Sequence, residues 1–277
     1  MGACATADGV RRISALAEET GYDSLWMGEH LVQPSPRVPP AMTEPDYPIL
    51  DPVVSLAVAA AETDRVLLAT GIVILPQRNP VVLAKELASL DVLSRGRLVL
   101  GLGVGYVKPE MDAVGVPMEG RGARAVEYLA AMRELWTSDA PSFAGEHVSF
   151  SAVDAHPKPV QDPIPVVFGG HTAAAHRRAV RHGDGWYGFM LDLDATAAQL
   201  DSLRREADAA GRDFDELSIT VSPSVRVTPD VAQAYGELGV ERLAIVPPPG
   251  YWQPNGWTVD ELETFVRSNA VSEARPL

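Results

Sequence analysis

The sequence has a single cysteine, far fewer basic than acidic residues, and no long apolar run. Because Cys4 is alone, no disulfide can form within the chain, which suits a reducing compartment, and we expect a cytoplasmic protein. The formal net charge of −14, with both signs interspersed, argues against nucleic acid and anionic membranes, since either polyanion would repel this surface. No stretch of about 18 apolar residues is present, so no membrane span is expected. The expected partner is a small molecule.

The sequence does contain a regular alternation of helix and strand signals. Thr6 and Asp51 can cap helices, Gly21 can end one, and Thr258 begins a capping box for the last helix. Short apolar segments that suit buried strands lie between the helices. We count seven strands and eight helices, beginning with a helix. This alternation predicts an α/β fold, a TIM (β/α)8 barrel that lacks its first strand.

We expect residues 1–277 to form a single domain with an irregular insertion at about 138–163. Prolines at 157, 159 and 163 make a long helix there improbable, and two short β-like pieces lie within the insertion. Three loops, at 32–50, 107–120 and 247–257, are candidates for the walls that select the substrate.

The chain is organised around the stretch Arg97 to Tyr106. An apolar run suited to a strand buried on both faces is followed by Gly101, Gly103 and Gly105. A dinucleotide fingerprint would need glycine where Tyr106 stands, so the Rossmann interpretation is weak. Two interpretations stay open: a flat ligand lies against the glycines, or small residues only ease packing at a strand end.

Two ionisable residues, Glu29 and His30, follow the short apolar segment 22–27, just beyond a predicted strand. Imidazole is the side chain whose protonation changes nearest neutral pH, and barrels of this type place their chemistry at this face. We predict that His30 is catalytic and that Glu29 orients it. The alternatives are a histidine hydrogen-bonded within a loop and a solvated carboxylate.

A second candidate site is the run Gly169, Gly170, His171 and Thr172, immediately before an alanine-rich helix. The first amides of a helix point outward unpaired, so a glycine pair there is suited to bind an anion. The alternative is a plain helix-entry turn. The histidines show no metal-ligand spacing, and we predict no metal.

Several short segments occur in an order and spacing typical of one superfamily. They are GYDSLW at 21–26 with Glu29-His30, ATGI at 69–72 with RNP at 78–80, GLGVG at 101–105, PKP at 157–159, PVV at 165–167 with Gly169-Gly170, and GDGW at 183–186. Over about residues 8 to 247 the chain resembles the luciferase-like monooxygenase superfamily, in particular its coenzyme F420-dependent oxidoreductases of actinobacterial type.

The resemblance implies a bacterial-luciferase-type barrel that binds a deazaflavin or flavin at the C-terminal ends of its strands. Gly71 and Ile72 match the family's bulge, often a non-proline cis peptide, that supports the middle ring of the cofactor. His30 matches the family's active-site histidine, and the glycine run with Thr172 matches its phosphate site. Tyr106 stands where relatives often carry tryptophan or glutamate. Its phenol could donate a hydrogen bond or wall the pocket, and the absent carboxylate puts glucose-6-phosphate dehydrogenase activity in doubt.

Family members usually begin with a strand before the segment that matches residues 2–5. Either the start codon was assigned late or the barrel lacks that strand and leaves two sheet edges open. We predict an oxidoreductase that transfers a hydride between coenzyme F420 and a small organic substrate, assembled as a homodimer. The alternatives are an FMN-dependent monooxygenase and a non-catalytic cofactor-binding barrel.

Overall fold

Helices and strands alternate along the chain in the computed structural model, which describes residues 2–248 and 256–270. The strands are β1 (Ser24–Met27), β2 (Leu67–Thr70), β3 (Val73–Ile74), β4 (Leu98–Gly103), β5 (Phe143–Ala144), β6 (Ser149–Phe150), β7 (Val166–Gly169), β8 (Gly185–Leu191), β9 (Ser218–Pro223) and β10 (Arg242–Leu243). The helices are α1 (Ala7–Glu19), α2 (Pro52–Glu62), α3 (Pro80–Leu93), α4 (Lys108–Ala113), α5 (Arg121–Thr137), α6 (Ala173–His182), α7 (Leu193–Ala210), α8 (Pro229–Glu237) and α9 (Val259–Ser268).

One parallel sheet forms the centre of the fold. Its strands lie side by side in the order β1, β2, β4, β7, β8, β9 and β10, while the short β3 pairs with the end of β4. Because all these strands are parallel, their C-terminal ends meet at one edge, where α/β folds of this kind place their functional groups. The α/β class predicted from the sequence is confirmed.

The sheet curls so that its two ends approach each other. The Asp23 carboxylate, just before β1, accepts a hydrogen bond from Arg242 of β10 at 2.7 Å. Across the interior, the rings of Trp26 from β1 and Tyr187 from β8 stack with centroids 5.1 Å apart. Among the described strands, β1 and β10 are the two ends of the sheet. The sheet is therefore an incomplete cylinder, and the absence of a first strand stays a prediction.

Local signals in the sequence determine most helix starts. Thr6 accepts from the amide of Gly9, and Asp51 accepts from the amides of Val53 and Val54, as expected of N-cap residues. Thr258 forms both hydrogen bonds of the predicted capping box. All six residues of β4 are buried, which confirms that the glycine strand is covered on both faces.

Three sequence-based boundaries need correction. The predicted loop at 107–120 contains the helix α4, which has a proline in its first turn. The apolar segment 66–73, which the sequence predicts as one strand, is divided into β2 and β3, with a cis peptide between Gly71 and Ile72. The apolar segment 242–246, predicted as the last strand, forms only the short β10, which ends at Leu243. The insertion does contain two short strands, β5 and β6, which pair antiparallel as a separate hairpin.

Candidate active site

His30 lies in the loop after β1, at the edge where the strands end. Its Nδ1 is 2.8 Å from the Glu110 Oε2, and its Nε2 is 3.4 Å from the Tyr106 hydroxyl. The side chain is 16% exposed, so the imidazole is partly accessible. The structure therefore brings together two residues that the sequence singled out, His30 and Tyr106. It adds a third, Glu110, which belongs to α4 and faces the loop after β1. We call these three residues the His30 cluster.

Glu110 is the member of this cluster that the sequence analysis missed. The helix α4 presents it to the loop after β1, and its side chain is only 1% exposed. While Oε2 faces His30, Oε1 accepts a hydrogen bond from the amide of Leu31 at 2.7 Å. A proline in the second position of a helix and an acidic residue in its first turn were signals that could have revealed α4. These local signals do not indicate that Glu110 contacts His30, which lies 80 residues earlier in the chain.

Tyr106 lies over the edge of the His30 ring, with the two ring centroids 5.8 Å apart and nearly perpendicular planes. Partial burial, and then the charge of Glu110, raise the pKa of the Tyr106 hydroxyl. The phenol therefore keeps its proton at neutral pH and can act as a hydrogen-bond donor. With 43% of its surface exposed, it can also contact a bound molecule.

Glu29 has partners other than His30. Its Oε2 accepts from the amide of Ile74 at 2.6 Å and from the amide group of Gln77 at 3.1 Å, and its Oε1 pairs with Arg78. Arg78 in turn pairs with Asp51 at 2.5 Å. The carboxylate that contacts His30 is thus Glu110, while Glu29 holds the segment after β3. We call Glu29, Asp51, Gln77 and Arg78 the Glu29 cluster.

The glycines at the ends of β4 and β7 are packed against the protein itself. A Cβ atom added at Gly101 would collide with the Thr70 carbonyl oxygen, one at Gly169 would lie 2.8 Å from Ile72, and one at Gly103 would collide with Ile72. Gly105 adopts a positive φ of 77°, and a Cβ there would lie 2.8 Å from Ile74. Packing within the protein thus explains why these positions are glycine, and the half-buried Ile72 covers the strand ends. Cofactor binding at Gly103, Gly105 and Gly169 stays a prediction.

The run from Gly169 to Thr172 has the form of a helix entry. Thr172 caps α6 by accepting from the amide of Ala175, and Gly170 has a φ of 120° that disfavours other residues. The indole nitrogen of Trp186 donates to the Gly170 carbonyl at 2.9 Å. Gly170 and Thr172 are at least partly exposed, so the first amides of α6 face a place where an anion could bind.

His171 links this run to the next strand. Its Nε2 accepts a hydrogen bond from the amide of Phe189 at 3.1 Å, and burial lowers the pKa of the imidazole. Both observations indicate a neutral ring at physiological pH. Any attraction of a phosphate to this loop must therefore come from backbone amides and not from an imidazolium charge.

A cavity of about 210 Å³ lies between the edge strands β1 and β10 and the helices α1, α2 and α9. Its walls include Trp26, Tyr187 and Phe189 on the sheet side and Ile13 and Phe265 on the helix side, so they are mostly apolar and aromatic. The Tyr187 hydroxyl is bound to Ser222 at 2.7 Å, and burial raises the pKa of Tyr187 to about 12. A flat ring would find an apolar surface here.

Two classes of site have no counterpart in the part of the chain that the structure describes. Residues 2–248 and 256–270 contain no group of three His, Cys, Asp or Glu side chains placed to hold a metal ion. No described helix is long and apolar enough to cross a membrane. Of the predicted wall at 247–257, residues 249–255 lie outside the described part.

Comparison with known proteins assigns the chain to a family. Residues 2–266 match the luciferase-like monooxygenase family. The chain is 37% identical to an uncharacterized protein of Mycobacterium tuberculosis over 82% of this chain and 83% of that one. This protein therefore belongs to the luciferase-like monooxygenase family, and the resemblance inferred from the sequence motifs is confirmed.

Relatives of known activity differ in their cofactor. The chain is 32% identical to the F420-dependent glucose-6-phosphate dehydrogenase of Kineococcus radiotolerans, over 79% of this chain and 64% of that protein. The structure of the monooxygenase RslO1 from Streptomyces bottropensis superposes with a TM-score of 0.66 at 30% identity, covering 84% of this chain and 69% of the other. A further relative, 29% identical over 69% of this chain and 57% of its own length, is named the FMNH₂-dependent dimethylsulfone monooxygenase of Pseudomonas putida. The family thus comprises oxidoreductases that use F420 or a flavin.

Proposed function

We propose that this protein is an F420-dependent oxidoreductase that transfers a hydride between coenzyme F420 and a small organic substrate. The observation that carries this proposal is the His30 cluster, which places an imidazole, a phenol and a buried carboxylate at the strand ends. The F420-dependent relative, similar over most of this chain, favours F420 as the cofactor. The single domain and the homodimer expected from the sequence stay predictions.

The residues present fit a deazaflavin. Gly71 and Ile72, joined by a cis peptide, lie between the apolar cavity and the ends of β4 and β7. A tricyclic ring could lie against Ile72 and the aromatic walls of the cavity. The partly exposed amides at the start of α6, next to Gly170, would hold the phosphate of its side chain.

The chain's own contribution is to orient the substrate and exchange its proton. When bound, the deazaflavin supplies the hydride acceptor or donor. His30 exchanges one proton with the substrate through Nε2, so that hydride and proton together make up the two-electron change. A positive charge on the imidazole would be stabilised by Glu110, which lies 2.8 Å from Nδ1. Tyr106 can donate its proton in a hydrogen bond to Nε2 or to a substrate oxygen.

The second candidate is an FMN-dependent monooxygenase, which the FMNH₂-dependent relative favours. Reduced FMN activates oxygen, whereas F420 transfers hydride and reacts poorly with oxygen. Titration of the purified protein with each cofactor, followed by fluorescence, separates the two candidates. We expect saturable binding of F420. Micromolar FMN binding without any response to F420 would exclude the F420 proposal.

The phosphate site has its own test. A mutation at Gly170 is poorly suited, because its positive φ and the Ala175 Cβ, which would lie 2.9 Å from an added Cβ, make any side chain there strained. Comparing F420 with the same deazaflavin lacking its phosphorylated tail needs no mutation. Loss of the phosphate should weaken binding at least about tenfold, which corresponds to about 1.4 kcal/mol. Equal affinities would refute the assignment.

A further inference from the structure

Glu110 does more than fill a buried position next to the catalytic histidine. We propose that Glu110 is a positioning residue that fixes the tautomer of His30, with the proton on Nδ1 and the lone pair of Nε2 facing Tyr106. This inference deepens the proposed function, since it concerns the same site. It also predicts a property of the free protein that can be measured without any cofactor.

The donors around the carboxylate of Glu110 determine which nitrogen of His30 carries the proton. An ionised carboxylate can only accept hydrogen bonds, and a neutral imidazole has one donor nitrogen and one acceptor nitrogen. Oε1 already accepts from the Leu31 amide at 2.7 Å, and a backbone amide cannot change its role. Oε2, 2.8 Å from Nδ1, must likewise accept. Nδ1 therefore carries the proton, and Nε2 of the neutral ring is left as an acceptor.

The surroundings hold Glu110 in this arrangement. Its side chain is 1% exposed, and the adjacent Met111 is fully buried, so α4 cannot turn the carboxylate toward water without exposing apolar surface. Tyr106 completes the pattern, because its hydroxyl is 3.4 Å from Nε2 and keeps its proton. With the Glu110 carboxylate ionised, each polar atom has a complementary partner when Nδ1 is the protonated nitrogen.

The Leu31 amide makes a Glu110→Gln variant informative. Leu31 still requires an acceptor, so the amide oxygen of the glutamine must face it, and the glutamine NH₂ group must face Nδ1. Nδ1 then has to accept, and the proton moves to Nε2. A substitution that changes one atom is thus expected to invert the tautomer of His30 and to remove the acceptor that faces Tyr106.

Imidazole nitrogen NMR of the ¹⁵N-labelled full-length protein tests this directly. The chain has six histidines, and the spectrum of a His30→Gln variant identifies the signals of His30. Spectra are recorded above the pH at which those signals stop shifting. Wild type should show a protonated Nδ1 and an unprotonated Nε2, and Glu110→Gln should show the reverse. Glu127→Gln, whose carboxylate accepts from the amides of residues 146–148, serves as the matched control and should leave the wild-type pattern.

A protonated Nε2 in the wild-type spectrum would overturn the inference, even if Glu110→Gln failed to fold. The same tautomer in wild type and in a folded Glu110→Gln variant would overturn it as well. With an identified substrate, Glu110→Gln should lower turnover by at least about tenfold while cofactor affinity changes little. If neither F420 nor FMN binds, the proposed function fails, and the spectra still decide the role of Glu110.

Discussion

The Glu29 cluster and the His30 cluster begin at neighbouring residues, yet their buried carboxylates have different kinds of partner. Glu29 pairs with Arg78, whose guanidinium keeps its proton at every pH a protein meets. Glu110 pairs with His30, whose imidazole has two nitrogens that can each donate or accept a hydrogen bond. The first pairing can only hold the backbone in place, whereas the second can take part in proton exchange.

Electrostatics separate the clusters further. Burial raises the pKa of Glu29, although Arg78 and the amide of Ile74 oppose the shift. Burial alone would lower the pKa of Arg78, but Glu29 and Asp51 outweigh it and raise that pKa. The buried negative charge of Glu29 thus depends on the guanidinium of Arg78 for compensation. Mutations in the Glu29 cluster should therefore lower the stability of the protein, and mutations in the His30 cluster should lower its turnover.

The largest effect should come from His30→Ala. Loss of the imidazole should lower turnover by about 10²- to 10⁴-fold, the usual range for acid–base or electrostatic assistance. Cofactor affinity should change far less. Oxidation of reduced F420 against a panel of enones, imines and quinones provides the assay. His30→Gln can still donate a hydrogen bond to Glu110, so it controls for the loss of that carboxylate's partner. Full turnover in His30→Ala would refute the proton-transfer role.

Arg78→Met should have the next largest effect, on stability. Removing one partner of a buried pair leaves Glu29 uncompensated, which costs about 3 to 5 kcal/mol. The shift of the urea unfolding midpoint measures the loss. Arg95→Met is the matched control, because Arg95 and its partner Asp64 have side chains 83% and 77% exposed, and it should cost less than about 0.5 kcal/mol.

The destabilisation by Arg78→Met should depend on pH in a defined direction. Without Arg78, burial raises the pKa of Glu29 even further above 4.5. A carboxyl group with a raised folded-state pKa stabilises the fold below its unfolded value and loses that contribution as pH rises. The deficit relative to wild type should therefore be largest at neutral pH and shrink toward pH 4. A deficit that grows on acidification would show that Glu29 is not the group responsible.

A smaller loss is expected for Asp51→Asn in the same cluster. Asparagine is as good an N-cap as aspartate, so the amides of Val53 and Val54 keep their acceptor. Only the charge facing Arg78 is removed, from a side chain that is 31% exposed. The unfolding free energy should fall by about 1 kcal/mol or less. A loss as large as that of Arg78→Met would mean that Asp51, not Glu29, is the main partner of the arginine.

Tyr106→Phe should have the smallest effect. The contact between its hydroxyl and Nε2 is long, at 3.4 Å, so its loss should change turnover only about two- to threefold. Since the pKa of Tyr106 is raised, the pH profiles of wild type and variant should coincide below about pH 10. A drop as large as that of His30→Ala would move the proton-transfer role to the phenol.

Much of this fold could be predicted because it depends on local signals. The caps at Thr6 and Asp51, the buried strand β4, and the position of His30 after β1 all follow from short stretches of sequence. The short helix α4 was missed because six residues carry too little periodicity to distinguish a helix from a loop.

The glycines of the central strand show where sequence reasoning left two interpretations open. A glycine at a strand end leaves space for a ligand or for a neighbouring side chain. Either requirement places glycine at that position, so the sequence does not distinguish the two. The structure shows the Thr70 carbonyl against Gly101 and Ile72 occupying the space beside Gly103 and Gly169. Only the path of the chain through β2 and β3 brings that isoleucine there.

By itself, the sequence determined the alternation of helices and strands apart from α4 and the division of β2 and β3, the family, and the placement of His30 after β1, because each depends on residues close together in the chain. Only the tertiary structure decided the partners. His30 meets Glu110 across 80 residues and Glu29 meets Arg78 across 49, although Glu29 and His30 are adjacent. The packing of α4 and of the segment after β3 sets the directions of the Glu29 and His30 side chains after β1. Those directions decide which buried carboxylate contacts the histidine.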